Sequence, residues 1–418
     1  MLDIKFIREN RGVVKENCQK RQSNADVDLV LELDEKRREL MKKAEDLRAL
    51  RNQKSKGKPT DDEIKKMREV GDSIKKLETE LEEVAKKYEE EMMKIPNLTH
   101  PESPVGGENE YRIVYTNFEP KKFSFKPLTH EELMIQNDLV DFERATKTSG
   151  AKFYFYKNNL VRLNQALINY GMDIAGKYGY QLLETPDLAK NEILQGIGFN
   201  PRSGEETQVY SVENTDLSLI GTAEITVGGF HAGEVLDLSK GPKKYVALSH
   251  CFRTEAGAYG KESKGLYRVH QFTKLEMFVF CKPEDSEKYH AEILTIEKKI
   301  MDGLKLPYRV IDIPTGDLGG PAYRKFDIEA YMIMKGEGEN QGGYGEVTSC
   351  SNCTDYQARR LNIKYKKEDG GTAYVHTLNG TAMVLSRFPL AIVEYYQQKD
   401  GKIAIPKILK KYCGLKKL

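Results

Sequence analysis

The chain has 418 residues, with 66 Lys and Arg against 64 Asp and Glu, a formal net charge of +2. That length exceeds one typical domain, and the balanced charge neither requires nor excludes a nucleic-acid partner, so local charge must decide. No apolar run approaches the roughly 20 residues of a membrane helix, the opening MLDIKFIREN is broken by charge unlike a secretory leader, and Cys18, Cys251, Cys281, Cys350, Cys353 and Cys413 are too scattered for a disulfide framework. These features predict a cytoplasmic protein with no membrane partner.

Residues 28–95 are dense in Glu, Lys, Arg and Leu and contain no Phe or Trp. Leu33, Leu40 and Leu47 repeat every seven residues, with Ala44 between them. Ile64, Met67, Ile74, Leu77, Leu81, Val84 and Tyr88 continue a 3-then-4 spacing. This is the seam of a coiled coil. Lys54–Thr60, holding Gly57 and Pro59, breaks it, and Thr60 with Glu63 can cap a second helix. The pattern predicts an antiparallel α-helical hairpin with arms about 40–50 Å long. Its first helix and tip are basic and its second is acidic. Such a charge split suits either a phosphate-binding face or a solvated coiled coil with internal ion pairs, and charge alone does not choose.

Pro96, Pro101, Pro104, Gly106 and Gly107 mark a boundary. It predicts an arm over 1–104 and a second domain over 105–418. In that domain residues 160–178 and 284–303 read as amphipathic helices, and 244–252, 274–280, 308–314, 325–332 and the stretch around 345–347 read as strands. Ala382 to Gln397 reads as a last helix, with Pro389 inside it as a candidate kink. Adjacent strands with few intervening helices predict an α+β fold on an antiparallel sheet.

The most informative segment is Cys251-Phe252-Arg253-Thr254-Glu255-Ala256-Gly257, followed by a stretch with Gly260, Lys261, Lys264 and Gly265, then Arg268-Val269-His270-Gln271-Phe272-Thr273-Lys274-Leu275-Glu276-Met277-Phe278. It reads as strand, mobile cationic loop, strand, with Arg253 and Glu255 alternating onto one face. An Arg–Glu ion pair is the ordinary reading of two such residues. A cationic loop beside a fixed arginine favours a polyphosphate ligand. Cys350 and Cys353 form a lone Cys-x-x-Cys without the second pair that zinc normally needs.

This segment resembles the second signature motif of class II aminoacyl-tRNA synthetases in its seryl form. Ile220-Gly221-Thr222-Ala223-Glu224 resembles the family's serine-binding segment. Gly345 to Arg360, ending Gln357-Ala358-Arg359-Arg360, resembles the seryl strand. Gly179-Tyr180 with Pro186 resembles the first class motif, and His376-Thr377-Leu378-Asn379-Gly380-Thr381 followed by Arg387 resembles the third, although Ala382–Ser386 lacks the usual glycines. The resemblance spans the chain, since the family also begins with a helical hairpin. It implies a class II antiparallel β-sheet flanked by helices, and a serine–tRNA ligase that uses ATP and Mg²⁺ to make seryl-adenylate.

The resemblance also implies roles. Arg253 and Arg387 are the catalytic arginines. Thr222, Ala223, Glu224, Arg253, Glu276, Asn379 and Thr381 bind L-serine. Arg253, Thr254, Glu255, Val269, Phe272, Glu346, Val347, Thr348, Ser349 and Arg387 bind ATP, with Glu346 and Ser349 also holding Mg²⁺. Arg37, Arg38, Lys42, Arg48, Arg51 and Lys54 face the tRNA(Ser), and the family extends to tRNA(Sec) where that tRNA exists. A homodimer is implied. A paralogue that activates a small amino acid for a carrier is the second reading, opposed by the arm together with Thr222, Glu276 and Thr381. A non-enzymatic RNA-binding homologue is the third, opposed by the presence of Arg253, Glu255, Glu346 and Arg387.

Overall fold

The computed structural model describes residues 1–54, 60–199, 208–255, 265–337 and 340–418, without the side chains of residues 53, 54, 63 and 64. The hairpin turn, the Lys54 side chain and the loop at 256–264 therefore lie outside the described residues. Contacts divide the chain into two units, Met1–Leu98 and Thr99–Leu418.

The first unit contains α1 (Ile4–Glu9), α2 (Arg11–Lys20), α3 (Val27–Lys54) and α4 (Asp61–Lys94). The seam residues Leu33, Leu40, Ala44, Ile74, Val84 and Tyr88 are buried between α3 and α4, as the heptad spacing requires. Ile7, Val14 and Cys18 of the two short helices close the base against Val30, Met92 and Ile95. Asp34 is fully buried there, accepting hydrogen bonds from Arg8 (2.8 Å), Arg38 (3.1 Å) and Arg37 (3.4 Å).

In the second unit an eight-stranded sheet is built from β1 (Arg112–Thr116), β2 (Gln181–Glu184), β3 (Lys243–Phe252), β4 (Gln271–Cys281), β5 (Tyr308–Asp312), β6 (Arg324–Met332), β7 (Gly343–Asn352) and β8 (His376–Val384). Its order is β1-β5-β6-β7-β8-β4-β3-β2. Every pairing is antiparallel except the short edge strand β2 on β3. Around it we name α5 (His130–Gln136), α6 (Asn159–Lys177), α7 (Ala223–Gly229), α8 (Ser286–Leu304), α9 (Tyr356–Leu361) and α10 (Phe388–Tyr395). The helices α6 and α8 pack on one face of the sheet against β4, β7 and β8. The α+β antiparallel expectation holds. Residues 99–104 fold with this unit: the His100 N–H donates to the Tyr323 carbonyl (2.9 Å), and the Pro104 carbonyl accepts from Thr315 (2.8 Å).

One element differs from its sequence reading. Residues 382–384 end the central strand β8 instead of starting a helix, and the last helix begins only at Phe388. Ala382, Met383, Val384 and Leu385 are buried core, so their bulk fills the sheet. Pro389 sits in the first turn of α10, where no backbone N–H is needed, and it starts the helix instead of kinking it.

Two bulges set which side chains face away from α6 and α8. In β7, Thr348 pairs with Ile328 but Glu346 pairs with Glu329, leaving Val347 extra. In β8, Thr381 pairs with Glu276 but Met383 pairs with Leu275, leaving Ala382 extra. Each bulge resets the two-residue alternation. Glu346 thereby joins Ser349 on the open face, and Thr381 remains there opposite Glu276.

Candidate active site

Two adjoining cavities open on this face, and Arg253, Lys274 and Ser349 line both. The first is also lined by Glu255, Tyr267, Val269, Phe272, Glu346, Val347, Thr381 and Arg387. The second is lined by Thr222, Glu224, Glu276, Ser351, Cys353 and Asn379. The alternation of β4 explains the floor: Phe272, Lys274 and Glu276 point into the cavities, while Leu275 turns to α6 beside Gly171.

Arg253 follows directly after β3. Its Nε donates to the Gly221 carbonyl (3.2 Å), and its guanidinium lies 5.3 Å from the Phe272 ring centre. The expected alternation of Arg253 with Glu255 on a strand is corrected. The strand ends at Phe252, Glu255 has φ 48°, and its carboxylate pairs with Arg268 at 3.5 Å. At the far side Arg387 caps the start of α10. Its Nη1 lies 2.9 Å from the Glu346 carboxylate and its guanidinium 4.9 Å from the Tyr267 ring centre. Burial opposes charge on Glu346, but the neighbouring Arg387 and Lys325 outweigh it and hold the carboxyl below its ordinary value.

The second cavity is a network of polar groups. The Thr222 hydroxyl accepts from the Glu224 N–H (3.1 Å), capping α7, and donates to Glu276 Oε2 (3.5 Å). The hydroxyl thus serves both as a helix cap and as a wall of the site. Glu276 is nearly buried and ion-paired with Lys274. The Glu224 carboxylate accepts from Gln357 (2.7 Å) and Asn379 (2.8 Å). Burial, and then the Glu276 charge, push the Glu224 carboxyl up to about 7.

Of the residues singled out in the sequence, Ala223, Thr254 and Thr348 do not line either cavity. Thr348 pairs with Ile328, and its side chain turns to the helix-covered face near Glu297. The Cys350 side chain also meets that face, beside Ile293 and Glu297 near Gly380, whereas Cys353 lines the second cavity. Lys274, Gln357 and Tyr267 carried no role in the sequence reading. Lys274 was readable as the residue alternating between Phe272 and Glu276. Gln357 stands in the Gln-Ala-Arg-Arg segment already noted, and Tyr267 carries no local signal.

On the arm, Arg37 and Arg38 bind Asp34, and the Arg37 guanidinium lies 4.7 Å from the Tyr88 ring centre. Arg48 pairs with Glu78 (2.6 Å) and Lys36 with Glu80 (2.9 Å), so part of the basic helix is neutralised by its acidic neighbour. Lys42 and Arg51 are exposed.

This antiparallel sheet, with two cavities meeting at one arginine, has the architecture of class II aminoacyl-tRNA synthetases. The family model for the tRNA synthetase class II core domain (G, H, P, S and T) matches residues 208–396, and that for the seryl-tRNA synthetase N-terminal domain matches residues 1–99. The serine–tRNA ligase of Treponema denticola is 52% identical over 431 residues, covering 100% of both chains. Seryl-tRNA synthetase of Pyrococcus horikoshii, solved in complex with ATP, is 39% identical with a TM-score of 0.88, covering 100% of this chain and 99% of that one. The cytoplasmic serine–tRNA ligase of Naegleria fowleri, solved with AMP, is 33% identical with a TM-score of 0.85, covering 100% and 98%. The chain belongs to the seryl-tRNA synthetase family.

Proposed function

We propose that the chain activates L-serine with ATP and transfers it to tRNA(Ser), and to tRNA(Sec) where one is present. A serine carboxylate oxygen attacks the α-phosphorus, and the bond to the β-phosphate oxygen breaks to release pyrophosphate. A terminal ribose hydroxyl of the tRNA then attacks the seryl carbonyl, and AMP leaves. The observation that carries this reading is Arg253 at the junction of the two cavities. A planar guanidinium there can hold the serine carboxylate and the α-phosphate together, and it opposes the charge that develops on the phosphoryl oxygens.

In the first cavity Phe272 stacks on adenine, Glu255 accepts from its amino group, and Arg387 holds the γ-phosphate. Thr254, Val269, Val347 and Thr348 belong to the same ATP segments, Thr348 without its side chain. Glu346 and Ser349 supply a carboxylate and a hydroxyl on one face, the oxygen donors that Mg²⁺ prefers. When bound, that ion neutralises phosphate charge.

In the second cavity Glu276 takes the serine ammonium and hydroxyl, and Thr222, Glu224, Asn379 and Thr381 complete the lining behind the Ala223 turn. A site built to hydrogen-bond a hydroxyl rejects alanine by leaving its own polar groups unpaired. Threonine is excluded by size.

On the arm, Arg37, Arg38, Lys42, Arg48, Arg51 and Lys54 meet the tRNA backbone, with Lys42 and Arg51 readiest because they are exposed. The chain acts as a homodimer. Leu182 on the edge strand β2 and Val161 on α6 are 53% and 43% exposed, apolar surface that a partner would cover. No helix among the described residues is long and apolar enough to cross a membrane. A cytoplasmic location is supported by six cysteines, none of which forms a disulfide.

The test is serine-dependent exchange of pyrophosphate into ATP. The wild-type chain catalyses it, and Arg253→Ala abolishes it. Exchange that survives Arg253→Ala would refute the placement of the reaction.

A further inference from the structure

Asp327 on β6 pairs directly with Ser349 on β7 in antiparallel register. Directly opposed residues project on the same face, so Asp327 shares the open face with Ser349 and, through the β7 bulge, with Glu346. Asp327 is only 6% exposed, and its Oδ1 has no hydrogen-bond partner among the described residues. The charges that face it are Lys325 and the carboxylates of Glu346, Asp317 and Glu329. Each of those carboxylates has a cation of its own. Glu346 is 2.9 Å from Arg387, Glu329 is paired with Arg309, and Asp317 is 4.0 Å from Lys325. The Lys325 ammonium also donates to the Asp317 carbonyl oxygen at 2.9 Å. Asp327 makes no ion pair among the described residues, and the Lys325 that faces it is shared with Asp317.

A buried carboxylate without a partner is costly, and its cost falls once a cation arrives. Among the described residues no group of three His, Cys, Asp or Glu side chains is arranged to hold an ion unaided. Mg²⁺ needs no such group, because it takes one or two carboxylates and completes its octahedron with substrate phosphates and water. We propose that Asp327 is a further protein oxygen ligand, in direct contact or through one of the ion's waters, for the divalent cation that enters with ATP at Glu346 and Ser349. This rests on the assignment of Glu346 and Ser349 as cation ligands. Nothing in the sequence motifs pointed to Asp327, because its closeness to Ser349 depends on strand register alone.

The test is Mn²⁺ binding to the full-length protein with ATP and without serine, followed by electron paramagnetic resonance. The wild type should bind Mn²⁺ more tightly than ATP alone does. Asp327→Asn and Glu346→Gln should each weaken that binding by about tenfold or more. Binding of ATP in chelator, with no metal present, should not weaken in Asp327→Asn, whereas a merely structural defect would weaken it. If Glu346→Gln weakens Mn²⁺ binding and Asp327→Asn does not, the proposal is overturned and the Glu346–Ser349 assignment stands. If neither substitution matters, both fall. A second measurement needs no substitution: in wild-type protein carrying ¹³C-labelled aspartate, adding Mg²⁺ to the ATP complex should shift an aspartate carboxyl band in the infrared difference spectrum. The absence of any aspartate shift overturns the proposal.

Discussion

Serine binding should depend on pH through Glu224. Its carboxyl is raised from 4.5 to about 7, first by burial and then by the Glu276 charge. The serine ammonium stays charged across the neutral range, so its attraction to the site grows as Glu224 ionises. A group with a pKa of about 7 is roughly one-tenth ionised at about pH 6 and nine-tenths ionised at about pH 8. If the ionised form is the one that binds, the serine dissociation constant falls about tenfold between those values, or about 1.4 kcal/mol. Calorimetry in buffers of different ionisation heat measures both the constant and the protons exchanged. Binding should release close to one proton at the lower pH and almost none at the higher. The ligand-free fold should behave in the opposite sense. The folded carboxyl binds its proton more tightly than the unfolded one, so stability declines as pH rises from about 4.5 to about 7. Serine should therefore stabilise the protein more at the higher pH. Glu224→Gln should flatten the binding profile. A flat profile in the wild type, or an equal slope in Glu224→Gln, would show that Glu224 does not govern serine binding.

Gly380 lies between Asn379 and Thr381 on β8, and a Cβ there would sit 2.2 Å from Ile293 Cγ2 and 3.0 Å from the Cys350 Cβ. Gly380→Ala should lower stability by about 1–3 kcal/mol in a denaturant titration and weaken serine binding as β8 shifts from α8. Asp34→Ala removes the acceptor of three arginines that are a third to a half exposed and can turn to water. We expect a loss of about 2 kcal/mol in the thermal melt of the helical arm, with pyrophosphate exchange unchanged. Lys42→Glu combined with Arg51→Glu should weaken tRNA binding and reduce its salt dependence by about 0.7–0.9 in log–log slope per lost phosphate contact. An unchanged slope would place the RNA on another face.

The helical hairpin was legible because heptads are a direct record of burial: Leu33, Leu40 and Ala44 are spaced as they are because α4 lies on them. Strands β3 and β4 were legible because they are long and carry apolar and aromatic residues between turn signals. Strand β8 was not. Asn379-Gly380 reads locally as a turn, yet the glycine is there because α8 approaches too closely for any side chain. The two bulges were equally hidden. A bulge is a relation between two strands, and it is what brings Glu346 to the face of Ser349 and Val384 to the face of Lys274. Glu255 lines the first cavity, but not by alternating with Arg253 on a strand, since a strand that ends at Phe252 cannot alternate beyond it. The contrast is between signals carried by spacing within a segment and those created when separate segments meet. Gln357 holding Glu224, and Tyr267 lying against Arg387, belong to the second kind.

Charging of tRNA draws on the catalytic sheet and the arm in one reaction. Purified protein is given labelled serine, ATP and a tRNA(Ser) transcript, alongside a chain in which residues 36–92 are removed and the gap closed. Serine-dependent pyrophosphate exchange is expected in both proteins, and acid-precipitable seryl-tRNA only from the intact chain. Exchange without charging by the intact chain, even at low salt, or charging that survives loss of the arm, would contradict this expectation.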